Sequence, residues 1–113
     1  MRKNMEKQLE KAIEPLHEFE GYWGVFDEEK AKSTLIKFFW DLSEIKTDKF
    51  LDIGHRNSYY SFYINLIPVM KALDNGQYAL ACHEILTLHH NERILQHRVY
   101  AGLMFLYRKY LEL

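Results

Sequence analysis

Apolar residues recur every three or four positions along most of the chain, and this spacing constrains the fold more than any other feature. It places the apolar side chains on one face of an α-helix, whereas a half-buried strand would alternate at every second residue. The first two series are Met5, Leu9, Ala12, Ile13 and Leu16, then Ala31, Leu35, Phe38, Phe39, Leu42 and Ile45. Strand-like alternation is not found, so we predict an all-α fold.

Three further series complete the pattern. They are Tyr59, Phe62, Tyr63, Leu66, Ile67, Met70 and Leu73; Tyr78, Ala81, Cys82, Ile85, Leu88 and His89; and Leu95, Val99, Gly102, Leu106 and Tyr110. The last is apolar on most sides from Val99 onward, which favours a central position for the final helix. The last two series could also form one continuous helix, since neither Gly nor Pro separates them. We predict a compact bundle of four to five amphipathic helices in a single domain, residues 1–113.

Prolines, caps and a turn divide these series into helices. Pro15 and Pro68 lie inside helical patterns and lack the N–H group that a helix interior uses, so we predict kinks near both. Asp27 and Asn91 precede helical series and are predicted to be N-caps. Residues 74–76 (Asp-Asn-Gly) favour a helix end, because they tolerate a left-handed backbone.

The segment from Gly21 to Phe26 contains two glycines and three aromatic residues. The glycines predict a loop. We expect this loop to bring Trp23 and Phe26 back over the core.

Composition restricts the class of partner and the compartment. Fifteen basic and sixteen acidic residues give a net charge of −1, so an overall attraction to nucleic acid is not expected. Cys82 is the only cysteine, which excludes an intramolecular disulfide. The longest apolar run is about half of a membrane-spanning helix, and an apolar leader is not seen. We therefore expect a cytoplasmic protein that does not associate with membranes.

Catalytic and metal-binding patterns are weak. His83 begins a zinc-protease-like sequence, but a second histidine does not follow four residues later. Glu14 and His17 have the spacing of a carboxylate–histidine metal motif, yet a second copy does not occur. Cys82 falls in an apolar series and is expected to be a small core residue. We predict neither a metal site nor a cofactor, and an enzyme is less expected than a binding protein.

A cluster of aromatic residues predicts an interface. Tyr59 and Tyr63 fit the core face of their helix, while Tyr60 and Ile64 lie on a second face. Tyrosine combines a rigid apolar ring with a polar end and is enriched at interfaces. These four residues are therefore predicted to contact another protein or a second copy of this chain, with burial on both sides of a central helix as the alternative.

A basic stripe suggests a different function. His83, His90 and His97 are seven residues apart, and Arg93 lies between the last two. Arginine can hold a phosphate while histidine moves a proton, as metal-independent RNA cleavage requires. The alternative explanation is that the histidines lie near a helix C-terminus, where a cation is favourable.

These observations favour a non-catalytic protein-binding helical module, such as a small adaptor, a regulator or an inhibitor or immunity-type protein. The alternative is an RNA-binding or RNA-cleaving bundle that uses His90, Arg93 and His97. Protein partners, including a homodimer, are expected before nucleic acid.

Overall fold

The computed structural model describes residues 2–45, 66–91 and 97–111. These contain helices α1 (Arg2–Ile13), α2 (Glu28–Ser43), α3 (described over 66–74), α4 (Tyr78–Asn91) and α5 (His97–Leu106). A 3₁₀ helix (Glu14–Phe19) follows α1, and a π-helical turn (Tyr107–Leu111) follows α5. The described ranges contain no strand, and the helices pack into a bundle, which confirms the predicted all-α fold.

Pro15 marks a change of helix type. The α-helix α1 ends at Ile13, and the chain tightens into the 3₁₀ helix with the proline in its first turn. Proline is tolerated in a first turn, where its missing N–H would have had no partner within the helix. The 3₁₀ helix buries Leu16 and Phe19 in the core. The irregularity predicted near Pro15 is therefore present, as the end of the α-helix and the start of a 3₁₀ helix.

Asp27 caps the start of α2. Its backbone is extended (φ −72°, ψ 103°), and its carboxylate accepts hydrogen bonds from the N–H groups of Glu29 (3.1 Å) and Lys30 (3.2 Å). The N–H groups in the first turn of a helix have no acceptor within the helix and would otherwise need water. The predicted N-cap at Asp27 is confirmed.

Helices α2 and α4 begin side by side. The carboxylate of Glu28 accepts a hydrogen bond of 3.1 Å from the N–H of Ala79, in the first turn of α4. One turn further along both helices, the thiol of Cys82 lies 3.8 Å from the carbonyl oxygen of Ala31. Both contacts join residues 51 positions apart, so the two helices start at the same level and run in the same direction.

A glycine connects α3 tightly to α4. Gly76 has a positive φ of 67°, its N–H donates to the carbonyl of Leu73 (3.1 Å), and the N–H of Gln77 donates to that of Ala72 (2.8 Å). This pair of bonds is the Schellman motif, and it confirms the predicted helix end at residues 74–76. Pro68 lies in α3, but the kink predicted there involves residue 64, which lies outside the described residues.

The buried side chains follow the helical series. On α2 they are Ala31, Leu35, Phe38, Phe39 and Leu42, with Ile45 just beyond its end. On α1, the 3₁₀ helix and α4 they include Leu9, Ala12, Ile13, Leu16, Ala81, Cys82, Ile85 and Leu88. These predicted core positions are confirmed, including the assignment of Cys82 to the core.

Helix α2 packs against α1, the 3₁₀ helix, α4 and α5. Whether the last helix is the central one, as predicted, also depends on residues 46–65 and 92–96, which lie outside the described ranges. The predicted N-cap at Asn91 is wrong. Asn91 is itself helical, at the end of the described part of α4, and so is not the extended residue that an N-cap requires. Whether α4 and α5 are continuous depends on residues 92–96, which lie outside the described ranges.

Of the helices described, none has the length and apolar character needed to cross a membrane.

Candidate functional site

The loop between the 3₁₀ helix and α2, residues 20–27, carries the two most exposed large apolar side chains of the described residues. Trp23 is 89% exposed and Val25 is 86% exposed, against 56% for Trp40 on α2. A single exposed apolar residue is ordinary on a protein surface. Two large ones together at a loop tip, one of them tryptophan, are typical of a contact site. We call residues 20–27 the Trp23 loop.

Aromatic packing holds the Trp23 loop against the bundle. Phe26 packs its ring edge-on against the buried Phe19, with 5.4 Å between ring centroids. Tyr22 stacks on Phe26 at 5.6 Å and an angle of 19° between the rings. Gly24 has a positive φ of 87°, a conformation that a side chain would strain. The apolar tip is thus presented by a loop whose base is packed.

Helix α4 contacts the start of the Trp23 loop through a hydrogen bond. Nδ1 of His83 lies 2.8 Å from the backbone carbonyl oxygen of Glu20. A carbonyl oxygen only accepts, so Nδ1 carries the proton in this contact. The ring of Tyr22 also lies beside His83, with 6.5 Å between the ring centroids.

The side chain of Glu20 lies between two more histidines. Its carboxylate oxygens are 3.6 Å from Nδ1 of His17, on the 3₁₀ helix, and 3.6 Å from Nε2 of His90, in the last turn of α4. Each contact is an ion pair only when the imidazole is protonated. Glu20 therefore joins the loop to two helices, through its backbone at His83 and through its side chain at His17 and His90.

A groove of about 560 Å³ lies beside these histidines. It is lined by His17, His89 and His90 together with Lys7, Lys11, Glu10 and Glu14. Nδ1 of His89 is buried without a hydrogen-bond partner, and burial, reinforced by the neighbouring His90, lowers the pKa of His89. Across residues 2–45, 66–91 and 97–111, no three His, Cys, Asp or Glu side chains are arranged to hold a metal ion.

Acidic residues surround the Trp23 loop. Residues 18–29 contain five carboxylates and neither lysine nor arginine: Glu18, Glu20, Asp27, Glu28 and Glu29. The nearest lysine in sequence, Lys30, pairs with Glu18 at 2.6 Å, and this contact raises the pKa of Lys30. The loop is thus strongly acidic although the whole chain is nearly neutral.

Most of the predicted site residues cannot be placed. Tyr59, Tyr60, Tyr63 and Ile64 lie outside the described residues, as do Arg93 and the side chain of His97. His90 is exposed and has Glu20 as its neighbour. It lies next to His89 near the end of the described part of α4. Whether this is a helix C-terminus, as the alternative explanation requires, depends on residues 92–96, which lie outside the described ranges.

Trp23 is the functional candidate that sequence reasoning missed. The prediction that Phe26 returns to the core is confirmed, but the same prediction for Trp23 is wrong. Trp23 and Phe26 are aromatic residues of the same glycine-containing segment, and nothing in their spacing distinguishes the exposed ring from the packed one.

In comparisons with known proteins, no protein-family model, no curated protein and no solved structure matches this chain. Its function is therefore inferred from its own surface.

Proposed function

We propose that this chain is a non-catalytic protein-binding module and that the Trp23 loop is its contact element. The observation that carries the proposal is the exposure of Trp23 (89%) and Val25 (86%) on a loop with a packed base. Burying apolar surface in a partner contributes about 25 cal/mol per Å². A loop that is already held in place loses little conformational entropy when it binds. An adaptor, a regulator or an inhibitor would all use such an element.

The chemistry of the described residues supports binding over catalysis. The thiol of Cys82 is enclosed in the core, where burial raises its pKa to about 12, so it is a poor nucleophile. The Nδ1 proton of His83 is held by the backbone of Glu20. The first is therefore not available as a nucleophile, and the second already uses its Nδ1 proton to hold the loop.

The test is affinity capture with matched tryptophan variants. Wild-type protein, Trp23→Ala and Trp40→Ala are immobilised, captured proteins are identified by mass spectrometry, and the purified partner is titrated by calorimetry. Trp40 is the control because it is also exposed, at 56%, but lies on α2. We expect Trp23→Ala to weaken binding about thirtyfold or more, as a hot-spot residue does, while Trp40→Ala binds like wild type. Retention of every partner by Trp23→Ala, with its circular dichroism unchanged, would contradict the proposal.

The predicted aromatic interface is a second way in which this chain could bind a protein. Tyr59, Tyr60, Tyr63 and Ile64 remain candidates for a partner or a homodimer contact. Measuring the solution mass of wild type and Tyr60→Glu over a range of concentrations tests the homodimer. A monomer at every concentration, with no partner lost by the variant, would contradict this interface.

The RNA alternative gains no support from the described surroundings of His90. The carboxylate of Glu20, 3.6 Å from Nε2 of His90, would repel a phosphate at that position. An electrophoretic shift with RNA at low salt tests the idea directly. A shift that is lost in Arg93→Ala and His97→Ala would revive it.

A further inference from the structure

The charge around Trp23 identifies the kind of partner. Resting on the function proposed above, we infer that the Trp23 loop binds a basic amphipathic segment of another protein. Such a segment offers an apolar surface to Trp23 and Val25, flanked by lysine or arginine side chains. Two observations support this choice: the loop is acidic and the indole of Trp23 is exposed.

The region around the Trp23 loop remains negatively charged after the partners of its carboxylates within the chain are taken into account. Asp27 and Glu28 cap the first turns of α2 and α4, and a helix N-terminus carries only about half a positive charge. Lys30 neutralises Glu18. Glu20 and Glu29 are exposed, one before and one after the apolar tip in the sequence. The carboxylate of Glu20 lies 3.6 Å from His17 and from His90, which oppose its charge only when they are protonated, so the loop is negative when these histidines are neutral.

Other occupants are disfavoured by charge. Nucleic acid and anionic membranes would meet the carboxylates with charge of the same sign. A symmetric contact between two copies would place the acidic residues of one loop against those of the other. A cationic partner is attracted instead, and its lysine or arginine can also lie on the exposed indole face of Trp23.

Fluorescence of Trp23 reports binding directly. The chain contains two tryptophans, so Trp40→Phe leaves Trp23 as the only indole. The probes are three synthetic peptides of equal length: an amphipathic Lys/Leu peptide, its Glu/Leu counterpart, and a Lys/Ser peptide that keeps the charge without the apolar face. We expect a saturable blue shift of emission with the Lys/Leu peptide and about tenfold weaker binding of the other two. The Glu/Leu peptide lacks the positive charge, and the Lys/Ser peptide lacks the apolar face.

Charge variants in the same background test the acidic rim. Glu20→Gln and Glu29→Gln together are expected to weaken Lys/Leu binding about tenfold and to flatten its dependence on salt. Glu44→Gln is the matched control, because Glu44 is an exposed carboxylate at the opposite end of α2, and it should bind unchanged. Circular dichroism shows that each variant is folded.

The outcomes separate this inference from the proposed function. Equal binding of the Glu/Leu and Lys/Leu peptides, or no effect of the double glutamine variant, overturns the basic partner while Trp23 remains a contact residue. A shift of Trp23 emission with phosphatidylcholine vesicles, but with none of the peptides, assigns the tip to a lipid surface and also overturns it. Failure of the proposed function is recognised separately, as unchanged protein capture by Trp23→Ala.

Discussion

Nδ1 of His83 donates a hydrogen bond of 2.8 Å to the backbone carbonyl of Glu20, 63 residues earlier in the chain, and so fastens the Trp23 loop to α4. Because the acceptor is a main-chain atom, the contact depends on where the loop runs and not on which side chain occupies position 20. The position of Trp23 is therefore set partly by a residue on a different helix.

Replacing His83 with alanine removes this bond. We expect the free energy of unfolding to fall by about 0.5–1.5 kcal/mol, the usual net value of one hydrogen bond. Urea unfolding followed by circular dichroism measures the loss. His83→Asn is the control, because its amide N–H can reach the same carbonyl and should restore part of the stability. Equal midpoints for wild type and His83→Ala would show that the bond contributes nothing.

Glu28→Ala leaves the N–H of Ala79 without its acceptor at the start of α4. An N-terminal capping bond of this kind contributes about 1 kcal/mol, and the carboxylate adds a favourable interaction with the helix dipole. We expect a corresponding decrease in thermal and urea stability. Glu28→Gln keeps an acceptor oxygen but loses the charge, so it should lie between wild type and alanine. The prediction fails if glutamine and alanine are equally destabilising.

The lowered pKa of His89 predicts that the protein loses stability in mild acid. Its pKa in the folded protein lies below the ordinary value of 6.5, because burial disfavours the imidazolium and His90 repels it, although Glu10 acts in the opposite direction. The unfolded chain then binds the proton more readily. The contribution of His89 to the free energy of unfolding should be fully present above pH 6.5, the pKa of histidine in the unfolded chain. It should decrease as the pH falls from 6.5 toward the lower pKa of the folded protein.

Urea midpoints measured through this pH range test the assignment. His89→Gln should flatten the profile relative to wild type, because it removes the titrating group from the groove. His90→Gln, on the exposed side of the same turn, should leave most of the slope. Superimposable profiles for wild type and His89→Gln would contradict the role of His89.

Cys82 should be unreactive in the folded protein. Burial raises the pKa of its thiol to about 12, and Glu28 contributes in the same direction, so almost no thiolate exists near neutral pH. We expect iodoacetamide to modify Cys82 in urea but not in buffer, as read by intact mass. Rapid labelling of the native protein would show that the α2–α4 contact opens readily.

The helix starts, helix ends and buried positions that depend on nearby residues in the chain could be predicted from the sequence. The helical spacing of Leu35, Phe38 and Leu42 predicted their burial, and the chemistry of Asp27 and Gly76 predicted a helix start and a helix end. These features depend on interactions within a few residues, which the sequence displays directly.

Features set by distant contacts were not predictable. The bonds from Glu28 to Ala79 and from His83 to Glu20 join residues 51 and 63 positions apart, and no local pattern encodes them. Because the sequence does not display these bonds, Trp23 at the tip of the loop was predicted to be a core residue.

The shared start of α2 and α4 has a consequence for how the chain folds. Parallel neighbours cannot form as a short hairpin, so the N–H of Ala79 gains its carboxylate only after the chain has closed a loop of 51 residues. Contacts of such long range slow folding relative to a bundle of adjacent antiparallel helices. They also make the two helices cooperative, because the first turn of α4 is incomplete until α2 has formed. A fragment that begins after α2 would therefore contain the whole of α4 and still lack the acceptor that completes its first turn.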